Sequence, residues 1–109
     1  MTDSRIEEEY QSLQEQYRAI VFQKETIKLQ LLEIENAIKE LEQIQENFAY
    51  KIVGNVMIKK NKDDMLKELK ENKEDLELRL SNFEKMEKLV EEKIKERENI
   101  IKKGGKDEL

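Results

Sequence analysis

Apolar side chains recur at alternating gaps of four and three residues along most of the first half of the chain. A repeat of about 3.5 residues places one narrow apolar stripe along one side of a helix, and such a stripe is buried against another helix. The pattern therefore predicts that the first half forms one helix of a coiled coil, with polar interruptions at Lys24 and Gln45. The apolar series is Ile6, Tyr10, Leu13, Tyr17, Ile20, Ile27, Leu31, Ile34, Ile38, Leu41 and Phe48.

The second half repeats this spacing, with polar interruptions at Lys73, Glu87 and Arg97. We predict a single domain, residues 1–109, in which two helices form an antiparallel coiled-coil hairpin. Helix one covers about residues 3–47, and helix two covers about 61–103, starting at the N-cap residue Asn61. Gly104 and Gly105 are predicted to end helix two, leaving 104–109 as a flexible tail. The second apolar series is Leu66, Leu69, Leu76, Leu80, Phe83, Val90, Ile94 and Ile101.

Between the helices, residues 49–60 read A-Y-K-I-V-G-N-V-M-I-K-K and are rich in β-branched and aromatic types. They predict a β-hairpin with a tight turn at Gly54-Asn55. That turn pairs Val53 with Val56 and Ile52 with Met57, which leaves both faces largely apolar. An isolated two-stranded hairpin is marginal in water, so we expect it to pair with hairpins of other chains. The alternative is that it folds back on the end of the coil.

Composition excludes several functional classes. Charged residues make up 43% of the chain, which is usual for helices that bury one stripe each. The chain has no Cys and no His, which removes thiolate metal sites and the commonest general base, so we expect no enzyme, no metal site and no cofactor. The net charge is −5 and Lys and Glu are interleaved, which argues against nucleic-acid binding.

Both ends of the chain bear on where the protein is expected to be located. The start carries three consecutive glutamates and no apolar segment typical of a signal peptide, and no stretch approaches a membrane span. We therefore expect a cytoplasmic protein without membrane contact. The last four residues, Lys106 to Leu109, spell an endoplasmic-reticulum retrieval signal. Since nothing provides entry to the secretory route, we interpret this as chance similarity in a Lys/Glu-rich tail.

The polar stripe positions leave two antiparallel registers open. One places Lys24 opposite Phe83 and Ile20 opposite Glu87; the other places Lys24 opposite Val90 and Ile27 opposite Glu87. In either register Lys24 and Glu87 lie in adjacent layers. They are predicted to pair and to disfavour slipped registers, or else to extend separately to water along their aliphatic stems.

Apolar residues also lie near the predicted free ends of the two helices, where helices fray. A featureless apolar surface at such an end suits non-specific binding of exposed apolar segments. For each single residue the alternative is ordinary packing in the stripe. The residues are Ile6, Tyr10, Leu13, Tyr17, Ile100 and Ile101.

Several motifs together resemble the β-type subunit of prefoldin, a co-chaperone of archaea and eukaryotes. They are Tyr50-Lys51, Gly54, the apolar run 56–58, Lys59, K-E-L-K-E at 67–71 and L-E-L-R-L at 76–80. The resemblance covers nearly the whole chain, and the single hairpin favours the β type.

The resemblance implies a cytoplasmic α2β4 hetero-hexamer with an α-type subunit, in which the hairpins join a β-barrel between subunits. It also implies capture of unfolded client proteins at the coiled-coil tips without ATP, followed by transfer to a group II chaperonin. Assembly would use Tyr50, Ile52, Val53, Gly54, Val56, Met57 and Ile58. Client contacts would be Ile6, Tyr10, Leu13, Ile100 and Ile101. Contacts with the chaperonin would involve Glu96, Glu98, Asp107 and Glu108.

A structural protein is the competing interpretation. In a homodimeric coiled-coil scaffold or spacer, the stripes would pair between chains and the helices would run through residue 54. The Gly54-Asn55 turn argues against it. Abundant Glu could in principle build a carboxylate metal site, but the sequence has no Glu-x-x-His pair.

Overall fold

The computed structural model describes residues 4–107. Helix α1 spans Ser4–Gln43, strand β1 Phe48–Val53, strand β2 Val56–Asn61 and helix α2 Lys62–Asp107. The two strands form one antiparallel sheet. Helix, single hairpin and helix follow in the predicted order, so the predicted fold class is confirmed.

By its internal packing the chain divides into two compact units. We call residues Met1–Thr26 with Ser81–Leu109 the terminal unit, and Ile27–Leu80 the hairpin unit. Each contains a segment of both helices, and the strands belong to the hairpin unit. Whether the chain behaves as a single domain, as expected, stays a prediction.

The terminal unit is held together by the apolar stripe. Leu13, Ile20 and Val90 are its buried centre. Tyr17, Phe83 and Ile94 are partly buried against them. Of the two registers, the one that places Lys24 opposite Phe83 also sets Leu13 opposite Ile94, as this cluster requires. The structure therefore selects that register in the terminal unit.

The hairpin unit buries the same stripe at Ile27, Leu31 and Leu41. Its strands pair as the sequence predicts, with Val53 opposite Val56 and Ile52 opposite Met57. Gly54 has φ +60° and no other described residue has positive φ, which is the pattern of a type II′ hairpin turn. Because the chain reverses here, the spacer interpretation with helices running through residue 54 does not hold.

The start of α2 is capped as predicted. The Asn61 Oδ1 accepts a hydrogen bond from the backbone N–H of Asp63 at 2.8 Å and a longer one from that of Asp64 at 3.4 Å. These two amides lack partners within the helix, so the side chain satisfies them. Asp63 and Asp64 also lie in the first turn, where their negative charges interact favourably with the positive end of the helix dipole.

Helix α1 ends at Gln43 rather than near Asn47. The Lys62 ammonium donates to the Ile44 carbonyl at 2.6 Å and, more weakly, to that of Glu42 at 3.5 Å. The backbone N–H of Lys62 donates to the Asn47 carbonyl at 2.8 Å. Because these carbonyls are satisfied from α2, the chain can leave the helix early and enter β1 one residue sooner than predicted.

Helix α2 continues to Asp107 and does not end at Lys103. Glycine in a helix costs about 1 kcal/mol relative to alanine, which weakens a helix without forcing it to stop. The chain contains no proline, so nothing there forbids helical geometry. The prediction that Gly104 and Gly105 terminate α2 was therefore wrong.

Candidate interaction surfaces

The β-hairpin exposes apolar side chains on both of its faces. Alternation along the strands puts Ile52 and Met57 on one face and Val53 and Val56 on the other. Ile52 is 71% exposed and Met57 63%. Tyr50, Val53, Val56 and Ile58 are exposed as well. Exposed apolar surface on both faces of a sheet is typical of an interaction site.

Gly54 joins the two strands at the tip of this surface. An added Cβ would meet nothing within 4 Å, so the space is open and the backbone conformation is the constraint. Only glycine adopts φ +60° in this turn at low cost. All seven predicted assembly residues therefore lie together on the hairpin, although no contact with another chain is described.

Charged side chains fix the hairpin to the first turns of α2. Glu68 accepts from the Lys60 ammonium at 3.0 Å and lies 3.8 Å from that of Lys51. The bond from Lys60, with the charge of Lys51, lowers the pKa of the Glu68 carboxyl below its ordinary value. On the other face the Lys59 ammonium lies 4.1 Å from the centre of the Phe48 ring, a cation–π distance.

In the terminal unit, polar stripe residues of α1 bond to carboxylates of α2. The Tyr10 hydroxyl donates to Glu98 at 2.9 Å, and the Tyr17 hydroxyl donates to Glu91 at 3.3 Å. The bond to Glu98 raises the pKa of Tyr10. Partial burial and the charge of Glu91 raise the pKa of Tyr17. The later tyrosine of α1 bonds the earlier glutamate of α2, which is the order that antiparallel helices require.

The predicted pair between Lys24 and Glu87 is confirmed. The Lys24 ammonium lies 2.8 Å from the Glu87 carboxylate, and the side chains are only 15% and 17% exposed. The hydrogen bond that the Lys24 ammonium donates to Glu87 is the main reason that the pKa of Lys24 is raised. In the selected register the two residues lie in adjacent layers, and a slipped register that separated them would leave both charges unmatched in the stripe. The alternative in which both extend separately to water is wrong.

The predicted client contacts occupy different environments. Ile6, Tyr10 and Ile101 are half-buried, and Ile100 is 39% exposed. Leu13 is 9% exposed and packs with Ile20 and Val90 in the core. Its stripe position serves the packing between helices, and the client contact predicted for Leu13 stays a prediction. We call Ile6, Tyr10, Ile100 and Ile101 the tip residues.

Two of the four predicted chaperonin contacts can be placed. Glu96 is exposed, and its carboxylate lies 3.4 Å from the Arg97 guanidinium. Glu98 is half-buried because it accepts the Tyr10 hydroxyl. The Asp107 side chain and Glu108 lie outside the described residues. Arg97 also bonds Glu9 of α1 at 2.9 Å, so an extended network of charges and hydroxyls surrounds this end of the unit.

Three features were not found from the sequence. The capping role of Lys62 and the bridging role of Glu68 depend on how the hairpin returns to α2, and no spacing rule indicates either one. The third is an apolar groove in the terminal unit with a volume of about 380 Å³, bordered by Met86 and Leu89. A signal for it did exist, since Met86 and Leu89 are apolar residues outside the stripe that are three positions apart and so lie next to each other on the helix surface.

Among the side chains that the structure describes, no three carboxylates are grouped so that they could hold a metal ion. No helix within residues 4–107 carries an apolar stretch long enough to cross a membrane.

Comparison with known proteins gives consistent matches. A family model described as "Prefoldin subunit" matches residues 4–107. Prefoldin subunit beta of Thermococcus onnurineus is 40% identical over 84 residues, which cover 76% of this chain and 72% of the relative. Prefoldin subunit beta of Pyrobaculum neutrophilum is 37% identical over 99 residues, covering 89% and 79%. The crystal structure of the prefoldin beta subunit from Thermococcus strain KS-1 superposes with a TM-score of 0.83 at 35% identity, covering 93% and 90% of the two chains.

Proposed function

The chain belongs to the prefoldin subunits, a chaperone family, and to their beta type, and on that premise we propose that it is part of an ATP-independent holdase. In this proposal it captures unfolded polypeptides and passes them to a group II chaperonin in the cytoplasm. The observation that carries the proposal is the β-hairpin, which is apolar on both faces and uncovered. Such a surface makes the chain a subunit that is completed by other chains.

We assign assembly to the hairpin residues Tyr50 to Ile58. Two chains whose strands pair edge to edge satisfy each other's free backbone groups, and several hairpins closing into a barrel remove the exposed edges altogether. The proposed assembly is an α2β4 hetero-hexamer with an α-type partner. Glu68 supports this role because its bonds to Lys51 and Lys60 hold the sheet in a fixed orientation on α2.

We assign client capture to the tip residues. Ile100 offers exposed apolar surface, and Ile6 and Ile101 are partly accessible beside it. Burying one such side chain stabilises a complex by about 1 to 2 kcal/mol, which is weak by itself. Several subunits acting on one unfolded chain raise the overall affinity while each contact can still release. Release therefore needs no nucleotide.

We assign the chaperonin contact to the acidic end of α2, with Glu96, Glu98, Asp107 and Glu108 as contributors. Glu96 is the most accessible of the placed residues, with a side chain that is 67% exposed. Glu98 can contribute once Tyr10 gives up its bond. A basic patch on the chaperonin would be the complementary surface.

The test is deletion of residues 1–8 and 100–109, which removes most of the tip residues. Suppression of aggregation of a guanidinium-unfolded enzyme should be lost, while the hexamer with an α-type subunit persists by native mass spectrometry. The matched control is Leu78→Glu, which alters an exposed leucine of the hairpin unit and should protect like the wild type. Full protection by the deleted form would refute the tip assignment.

A further inference from the structure

An apolar groove lies along one side of the terminal unit. Its floor consists of the buried side chains of Ile20 and Val90 with the ring of Phe83. Its walls include Met86, which is 46% exposed, and Leu89, which is 57% exposed. At about 380 Å³ it has the size of a small ligand site. Met86 and Leu89 lie outside the buried stripe, so the packing of the two helices does not explain them.

The two sides of the stripe differ in charge. Glu91 and Glu98 directly follow stripe residues of α2, so they flank the stripe on the side where Tyr17 and Tyr10 bond them. The groove lies on the other side, where Gln16 and Gln23 of α1 precede stripe residues. Of the described residues that line the groove, Lys93 is the one with a charge. The groove therefore combines apolar walls, amides and one cation without a carboxylate.

This composition suits a short extended peptide better than a second copy of the chain. A stable interface between proteins buries about 1,200 to 2,000 Å² in total, which two exposed apolar side chains cannot provide. Met86 is unbranched and flexible, so it can adapt to side chains of different shape. Gln16 and Gln23 carry both donors and acceptors, which match the backbone of an extended strand. The Gln16 side chain donates a long bond of 3.5 Å to the Ser12 hydroxyl, which is easily exchanged.

We propose that this groove binds a segment of an unfolded polypeptide in which apolar side chains stand next to an acidic residue. The apolar side chains contact Met86 and Leu89, and the carboxylate of the segment pairs with Lys93. The proposal rests on the proposed holdase function and adds a site separate from the tip residues. It also predicts selectivity, because a segment flanked by lysine would place like charges together.

The test uses fluorescence anisotropy with two short leucine-centred peptides, one flanked by Glu and one by Lys, and the full chain in its assembly with an α-type subunit. The wild type should bind the Glu-flanked peptide about tenfold more tightly. Met86→Glu with Leu89→Glu should weaken binding of both peptides about tenfold. The control Phe22→Glu changes a side chain that is 68% exposed in the same unit but does not line the groove, and it should leave both affinities unchanged.

Lys93→Glu gives a test that does not depend on altered packing, since its side chain lies at the exposed rim. This variant should reverse the preference, so that the Lys-flanked peptide binds more tightly. An unchanged preference would overturn the proposal, as would wild-type affinity in the double variant. A lower assembly mass for the double variant, with unaltered peptide binding, would mean that another copy of the chain occupies the groove.

Aggregation assays separate this proposal from the holdase function. Suppose that the wild type protects an unfolded enzyme but the variants at Met86, Leu89 and Lys93 bind the peptides like the wild type. Only the groove assignment then fails. If the wild type gives no protection at all, the holdase function fails and the client assignment of the groove fails with it.

Discussion

The apolar stripe of the terminal unit and the β-hairpin use the same residue types with opposite results. Ile20 in the stripe is 6% exposed, whereas Ile52 in β1 is 71% exposed. The stripe repeats with the helical period and meets a second stripe within the chain. The strands alternate with a period of two, so their apolar residues point to both faces of a sheet that the described part of the chain does not cover. Within the described residues, the chain covers the stripe of its coiled coil and leaves both faces of its sheet exposed.

The ion pairs of the two regions also differ in burial, and again the hairpin is the more exposed region. The Lys24–Glu87 pair is mostly enclosed, with side chains 15% and 17% exposed. The Lys60–Glu68 pair beside the hairpin is 34% and 46% exposed. Screening by water makes the second contact worth little energy, so its role is to orient. The enclosed pair is costly when mismatched and therefore disfavours slipped registers that would separate Lys24 from Glu87.

The largest expected effect comes from placing charge on the hairpin. Ile52→Asp combined with Met57→Asp should dissociate the assembly, because each subunit loses about 3 to 5 kcal/mol of apolar burial and gains two carboxylates at the contact. Circular dichroism should still report the helices, since neither side chain packs in the stripe. Native mass spectrometry with an α-type subunit measures the effect. Leu29→Asp with Leu78→Asp is the control, since both leucines are exposed outside the strands; a persistent hexamer in the hairpin variant would contradict the assembly role.

A direct comparison uses one substitution in both regions. Ile20→Ala removes a buried side chain and should lower the free energy of unfolding of the chain by about 2 to 4 kcal/mol. Ile52→Ala removes an exposed one and should change it by less than about 0.5 kcal/mol in the chain alone. Urea unfolding followed by circular dichroism measures both. Equal losses in the two variants would mean that the hairpin is covered by its own chain.

Much of the structure of both regions could be predicted from the spacing of residues in the sequence. The repeat in the helices, the pairing of Val53 with Val56 and the Asn61 cap each follow from local rules that tertiary contacts do not oppose. The choice of register could not be predicted, because both options pair mostly apolar residues and both place Lys24 and Glu87 opposite apolar side chains in adjacent layers. It depends on polar geometry such as the bond from Tyr10 to Glu98, which a pattern of apolar positions does not encode.

Helix ends and site residues were predicted less well. The early end of α1 depends on Lys62, which follows in sequence only after the whole hairpin and returns to cap Ile44. Leu13 was assigned to client binding from its nearness to the chain terminus, but its stripe position places it in the core. The sequence indicates which residues form the stripe, but it indicates less reliably at which residue the stripe becomes exposed near the helix ends. Fraying of a helix end depends on packing energy as well as on position.

Breaking the enclosed ion pair should have a moderate effect. Lys24→Met alone leaves Glu87 poorly compensated in a largely apolar layer and should lower the melting temperature by several degrees. Adding Glu87→Leu should restore it to the wild-type value or above, since an apolar layer then continues the stripe. Thermal unfolding followed by circular dichroism gives the melting temperatures of the wild type and both variants. If the double variant were the least stable of the set, the pair would be a net source of stability and not mainly a determinant of register.

The smallest expected effects are in the pH dependence, where the two regions should differ in sign. The pKa of Glu68 is lowered in the folded chain, so its contribution is present above the ordinary value of 4.5 and is lost as the pH falls through the folded value. The pKa of Tyr10 is raised, so its contribution is complete below 10.0 and is lost as the pH rises through the folded value. The hairpin contact should therefore weaken in acid and the terminal contact in alkali.

Melting temperatures measured across pH for Glu68→Gln and Tyr10→Phe test this contrast. The difference between wild type and Glu68→Gln should shrink below about pH 4 and stay constant at higher pH, because only the ionised carboxylate attracts Lys60 and Lys51. The difference between wild type and Tyr10→Phe should be constant through neutral pH and shrink above about pH 10, where the hydroxyl loses the proton that it donates to Glu98. Parallel curves at every pH would show that both side chains act through packing alone.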